Sequence, residues 1–185
     1  MSNSQKSICV YCGSRFGADP AYRHAAAALG AALATQGWRL VYGAGDVGLM
    51  GEVANATQQA GGDTFGVIPV HLLNREVGKR DLTAFVVTEN MHERKKVMYM
   101  NSDAIVVLPG GAGSLDELFE VLTWRQLGLH DKPIYLLDIN GYWQPLLALI
   151  DHIIGQGFAE TDLRGYFTAV SDVPALLEAL MARLS

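Results

Sequence analysis

Positive charge is scarce in this chain: 14 Lys and Arg stand against 19 Asp and Glu, a formal net charge of −5 over 185 residues. A protein that binds nucleic acid or an anionic membrane surface is expected to present a basic face, so both classes are set aside. Long apolar runs are missing as well. No stretch approaches the roughly 20 apolar residues needed to span a bilayer. The first residues, Met1 to Ser7, lack the apolar core of a secretory signal, and a cytoplasmic location is expected. Cysteine is nearly absent, with 2 residues, Cys9 and Cys12. Their C-x-x-C spacing is that of thioredoxin-type redox sites. Cys9 falls inside an apolar strand, however, and no further Cys or suitably spaced His completes a zinc site, so core packing and a turn position account for the pair. With no linker and no internal repeat, the length fits one domain over residues 1–185.

What the chain does have is apolar content, 50% of residues, and 20 glycines, a composition suited to an α/β core with many tight turns. Its most informative stretch runs from Asp103 to Leu127. Ala104 to Leu108 is an apolar run rich in β-branched residues, the form of a strand buried on both faces of a parallel sheet. Pro109 stops it. Gly110, Gly111 and Gly113 then supply backbone that leaves room for a ligand, and Ser114 with Glu117 reads as an S-x-x-E capping box opening a helix. A strand, a glycine turn and a helix start in that order make an anion site, suited to a phosphate. Asp116, Glu117 and Glu120 would repel a bound phosphate unless they serve another part of the ligand. Glu117 is therefore read as reaching toward a sugar or a scissile bond, the alternative being that it merely completes the cap.

Around this stretch the chain reads as alternating strands and helices. Strands are expected at Ile8–Tyr11, Trp38–Tyr42, Thr64–Ile68, Ala84–Val87, Ala104–Leu108, Pro133–Leu137 and Tyr166–Val170. Helices are expected at Pro20–Gln36, from the second glycine turn to about Ala60, at Met91–Met100, after Ser114, at Tyr142–Ile154 and at Pro174–Leu184. That alternation predicts a Rossmann-like three-layer α/β/α fold with a central, mostly parallel sheet of about seven strands. Ser14 and Arg15, in the turn after the first strand, are placed for a phosphate or ribose, or else are an ordinary solvated loop. Gly43, Gly45 and Gly48 match the G-x-G-x-x-G dinucleotide fingerprint. The acidic partner expected about 20 residues on, at the end of the next strand, is missing there, because Asp63 stands at that strand's start. These glycines are taken as a second nucleotide-facing turn.

Residues His71 to Thr83 read as a loop or lid in which Glu76 either touches a ligand or is solvated. Asn90 caps the helix that carries Arg94, Lys95 and Lys96. Three successive cations cannot all face one way, and Arg94 and Lys95, early in the helix, are placed to reach back over the sheet edge toward a phosphate. The helix after the glycine turn carries Leu118, Phe119, Val121, Leu122, Trp124 and Leu127 over most of its circumference. One face covers the sheet, and the rest predicts a homodimer.

Pro109 to Glu117 resembles the P-G-G-x-G-T-x-x-E signature of the LOG family, the cytokinin riboside 5′-monophosphate phosphoribohydrolases once described as lysine decarboxylases. Met91 to Lys95 resembles that family's second motif, and blocks at Cys12–Ser14, Leu40–Gly43, Gly48–Gly51, Gly66–Pro69, Leu122–Gly128 and Lys132–Pro133 extend the similarity over most of the chain. The resemblance implies hydrolysis of the N-glycosidic bond of a nucleoside 5′-monophosphate to free base and ribose 5-phosphate. It also implies a Rossmann-like dimer with sites near the interface, no metal and no cofactor. It makes Arg94 and Glu117 the catalytic pair. Nucleotide contacts would come from Glu76, Lys95, Thr123 and the loop Gly111, Ala112, Gly113, Ser114, Leu115, Asp116 and Glu117, to which the turn positions of Ser14 and Gly110 add those two residues. Two departures are visible: Ser114 stands for the usual Thr, and Ala44 stands where a third consecutive glycine is common. The rival readings are an NAD(P)-dependent oxidoreductase, resting on Gly43 to Gly48; a nucleotide-binding module without catalysis; and a lysine decarboxylase, for which no lysine has a setting suited to a pyridoxal Schiff base.

Overall fold

The computed structural model of the chain describes residues 5–73 and 81–184. Seven strands, β1 (Ser7–Tyr11), β2 (Arg39–Tyr42), β3 (Thr64–Pro69), β4 (Ala84–Thr88), β5 (Ala104–Val107), β6 (Ile134–Leu137) and β7 (Thr168–Val170), alternate with six helices. These are α1 (Pro20–Thr35), α2 (Gly48–Gln59), α3 (Met91–Met100), α4 (Ala112–Gln126), α5 (Gln144–Gly155) and α6 (Val173–Leu184). The strands form a single sheet in the order β4-β3-β2-β1-β5-β6-β7. Every pairing is parallel. The chain thus builds outward from β1 on one side, then returns to lay β5 against β1 and builds outward on the other.

Strand alternation explains the three layers. Ile8, Val10, Leu40, Tyr42, Val106 and Leu108 point to one face and pack under α1, α2 and α6. Cys9, Tyr11, Val41, Val67, Ile105 and Val107 point to the other and pack under α3, α4 and α5. Because successive side chains of a strand leave opposite faces of the sheet, an apolar run without alternation can only be satisfied by helices on both sides.

Three local features differ from the sequence reading. A 3-10 turn at Ile139–Gly141 delays α5 to Gln144, because Asn140 (φ 52) and Gly141 (φ 75) take left-handed backbone that no helix continues through. A second 3-10 turn, Thr161–Gly165, runs up to Tyr166, so β7 starts at Thr168. In the expected lid, Val70–Leu72 forms a single 3-10 turn, and residues 74–80, Glu76 among them, lie outside the described residues. Among the described residues no helix is long and apolar enough to cross a membrane.

Candidate active site

The strand order reverses direction between β1 and β5, and open parallel sheets leave a crevice at that point beyond the carboxyl ends of the strands. Two backbone hydrogen bonds hold the strand ends together: Leu108 N–H donates to Tyr11 O at 2.9 Å and Gly13 N–H to Pro109 O at 3.0 Å. Above them opens a cavity of about 510 Å³. It is lined by the turn after β1, including Ser14 and Arg15, by Gly43, by Met91 and Arg94 of α3, and by Pro109 to Ser114 with Asp116 and Glu117.

The turn after β5 is built differently from the expected capping box. Helix α4 begins at Ala112, with Gly111 as the N-cap residue and no side chain bonded to the cap. Two glycines in succession let the chain enter the helix earlier than Ser114. Leu115 N–H, donating to Gly111 O at 3.1 Å, makes an early bond of α4. Ser114 is instead inside the first turn and buried, its hydroxyl lying where a Cβ on Gly110 would have to stand. Glu117 therefore sits in the second turn, away from any capping role, and lines the cavity. A Cβ built on Gly111 or Gly113 would meet nothing within 4 Å. The positive end of α4 thus faces open space, as an anion site requires.

Arg94 reaches the cavity from the other side. Asn90 caps α3, its Oδ1 accepting from Glu93 N–H at 3.0 Å, while Glu93 Oε2 accepts from Glu89 N–H at 2.9 Å. One turn in, the Arg94 side chain is buried, with Nε donating to Val67 O at 3.1 Å and Nη2 to Gly43 O at 2.6 Å. The carboxyl ends of β2 and β3 thus hold the guanidinium as a fixed charge. Gly43 has no side chain because Arg94 occupies that space: a Cβ there would overlap Nη2.

The electrostatics of β1 register both charges. Burial first, and the Glu117 carboxylate second, push the Cys12 thiol well above the usual thiol range, while Arg94 pulls it the other way. Glu117 also raises Cys9 and the Tyr11 phenol, after burial in each case. The carboxylate from the β5 side and the guanidinium from the β2–β3 side both line the cavity that also takes in Val10 to Gly13 at the end of β1. Both cysteines are free and buried, and a thiol held protonated is a poor nucleophile, so the C-x-x-C pair is packing.

The other sequence candidates separate. Ser14, Gly110, Gly111, Ala112, Gly113, Ser114 and Asp116 line the cavity with Arg94 and Glu117, whereas Leu115, Lys95 and Thr123 do not. Lys95 is buried against α4, its Nζ 3.0 Å from Asp116 Oδ2 and 2.9 Å from Glu120 Oε2. Burial pushes its pKa down, but the two carboxylates outweigh burial and the net shift is upward. Thr123 is exposed and donates to Phe119 O at 2.7 Å. Sequence reasoning missed Tyr22 and Tyr142, which close one side of the cavity edge to face at 5.4 Å between ring centres. Tyr142 follows β6 by a few residues, and its place beyond a strand's carboxyl end was the available signal.

The rival cofactors fit poorly. In the fingerprint turn the space at Gly43 is filled by Arg94, and a Cβ on Gly48 would overlap the Ser14 and Arg15 backbone, so these glycines accommodate protein and not a dinucleotide. For pyridoxal chemistry a lysine must face the cavity with a lowered pKa. None lines it among the described residues. Lys132, lowered by burial, donates to Tyr99 O and Ser102 O at the start of β6, the opposite edge of the sheet.

Comparisons with known proteins give the family and the fold. The family described as possible lysine decarboxylase matches residues 50–180. A probable cytokinin riboside 5′-monophosphate phosphoribohydrolase of Oryza sativa subsp. japonica is 44% identical over 175 residues, 95% of this chain and 77% of that one. A cytokinin riboside 5′-monophosphate phosphoribohydrolase of Arabidopsis thaliana is 41% identical over 177 residues, 96% of this chain and 78% of that one. Among solved structures, a molybdenum cofactor binding protein of Rippkaea orientalis superposes with a TM-score of 0.76 over all of both chains. A Moco carrier protein of Chlamydomonas reinhardtii does so with 0.72, over 97% of this chain and 98% of that one. Each of the two is 22% identical, which speaks for a shared fold. On the match over residues 50–180 and the identity to these relatives along nearly its whole length, the chain belongs to the LOG family of phosphoribohydrolases.

Proposed function

We propose that this protein hydrolyses the N-glycosidic bond of nucleoside 5′-monophosphates, cytokinin riboside 5′-monophosphates and AMP among them, releasing free base and ribose 5-phosphate. One observation carries the reading: Arg94 and Glu117, from helices on either side of β1, line one cavity together with the open amino end of α4. The phosphate sits on the amides of the turn from Gly110 to Ser114, with Ser14 opposite. The sugar then lies over the end of β1, with its anomeric carbon toward Glu117.

Cleavage of the C–N bond leaves its electron pair on the base and oxocarbenium character on the ribose, which the carboxylate stabilises while taking a proton from the attacking water. The departing base must gain one proton, the same number that Glu117 removes from water, so the reaction balances with the carboxyl as relay. A guanidinium keeps its proton across the physiological range and cannot be that relay. Arg94 acts as a fixed cation that stabilises phosphate or departing base.

The test is base release from a panel of nucleoside monophosphates, resolved by chromatography. Free base and ribose 5-phosphate in equal amounts are expected; tight nucleotide binding with no base released from any member would leave a non-catalytic module instead.

We also propose that two copies associate along α3 and α4. Their ends meet through Tyr99, packed edge to face on Trp124, and leave Met100, Leu127 and Leu129 at 64%, 67% and 66% exposure. Thr123, off the cavity of its own chain, would touch a nucleotide only across such a contact. A sedimenting species of monomer mass at micromolar concentration would refute the dimer. The reading places the enzyme in the cytoplasm, in keeping with its two free thiols.

A further inference from the structure

We infer that Tyr142 is a positioning residue for the phosphate-binding turn, acting through the direction of one peptide group; this rests on the function proposed above. The turn after β5 is held at three points. Gly13 N–H donates to Pro109 O at 3.0 Å. The Ser114 hydroxyl fills the space beside Gly110. The Tyr142 hydroxyl donates to Gly110 O at 2.6 Å. Of these hydrogen bonds only the last comes from a side chain.

The Gly110 carbonyl and the Gly111 N–H belong to the same peptide unit, which is trans. In a trans unit the two dipoles point in opposite directions, so fixing the carbonyl toward Tyr142 fixes the amide away from it. Gly111 is the N-cap of α4, and its amide belongs to the group that receives the phosphate. A peptide between two glycines has the least resistance to flipping, because neither flank carries a Cβ that would restrict its dihedrals. Without the tether, part of the population would present a carbonyl oxygen where the anion needs an N–H.

Tyr142 is itself held in place before any ligand arrives. Its ring stands edge-on to Tyr22 at 5.4 Å and to Trp143 at 4.8 Å. Trp143 N–H donates to Asp138 Oδ1 at 2.6 Å, and Asn140 Nδ2 donates to Asp19 Oδ2 at 2.8 Å, which ties this segment to the start of α1. The tether is therefore rigid, and its effect falls on phosphate affinity and leaves the chemistry at Glu117 alone.

Tyr142→Phe keeps the ring contacts and removes only the donor. With AMP as substrate and ribose 5-phosphate as competitive inhibitor, KM and the inhibition constant are expected to rise together by about five- to tenfold, the weight of one hydrogen bond. kcat should stay within about twofold and the melting temperature within a few degrees. An unchanged inhibition constant overturns the inference, as does a fall in kcat at constant KM. A drop in melting temperature large enough to account for the lost affinity assigns Tyr142 a purely structural role and overturns it too. Wild-type protein that neither cleaves AMP nor binds ribose 5-phosphate would overturn the proposed function first and this inference with it, whereas an active wild type with an unaltered variant removes this inference alone.

Discussion

The turns after β2 and β5 look alike in sequence, each a buried strand followed by glycines and a helix, yet they do opposite jobs. After β2, the missing side chain of Gly43 makes way for Arg94, and Gly48, at φ +58, lies against the Ser14–Arg15 backbone. Ala44 even holds left-handed backbone, φ 57, without being glycine, so the turn is shaped by its packing. After β5, the glycines at 111 and 113 have open space over them. A glycine-rich βα turn is thus ambiguous until one knows whether protein fills the vacated volume, and here the same fold uses one turn to seat the Arg94 guanidinium and leaves the other open over Gly111 and Gly113.

The sharpest way to test that division is at the acid of the open turn. Glu117→Gln should leave the fold and nucleotide binding intact and lower base release by at least about 100-fold, the scale of a lost general base. Near-normal turnover of AMP by this variant would remove Glu117 from the mechanism. Next in size is Gly43→Ala, whose methyl must displace Arg94; kcat for base release should drop about tenfold or more, since misplacing a catalytic group by about 1 Å costs on that order or greater. Activity equal to wild type would mean that the filled turn is incidental to catalysis. Gly113→Ala, in the open turn, inverts the outcome for stability. With no atom to strike and an ordinary helical position, it should raise unfolding free energy by about 0.5–1 kcal/mol in urea denaturation, and a loss of stability there would show that the turn is not open.

The smallest effect belongs to neither turn. His130 has its pKa lowered, by burial first and by Arg125 and Lys132, against the opposing pull of its hydrogen bond to Val121 O. The unfolded chain therefore binds the proton more readily, so stability should fall as pH drops through about 6.5 and level off below the folded value. Thermal melts of wild type and His130→Gln between neutral and mildly acid pH check this, the variant losing the slope.

β1, β2, β5 and β6, with the two-sided core, were legible because their apolar runs are buried along nearly their whole length, whereas the edge strands β4 and β7 keep half-buried and exposed positions. Helix α3 was legible to its ends, since the Asn90 side chain accepts from Glu93 N–H and the Glu93 carboxylate accepts from Glu89 N–H, bonds that are all local. The same pattern at Ser114 and Glu117 misled. Nothing local reveals that Gly111 opens α4 or that Ser114 is needed to fill the gap beside Gly110. Arg94 and Lys95 were read together, and both are buried, but their partners lie far off in sequence: β2 and β3 carbonyls for one, α4 carboxylates for the other. Such pairings follow from strand order, which no short window of sequence contains. Tyr142 was overlooked for the same reason, because its hydroxyl's acceptor is a glycine 32 residues upstream.

The seat of Arg94 has a consequence for how this protein tolerates change. Its two carbonyl partners, at Val67 and Gly43, are main-chain atoms that every amino acid supplies. Replacing Val67 by isoleucine or leucine alters packing but cannot delete the acceptor. These two anchors of the guanidinium are therefore buffered against most genetic drift at the positions that supply them, and a side chain at position 43 or a shift in strand register would disturb them.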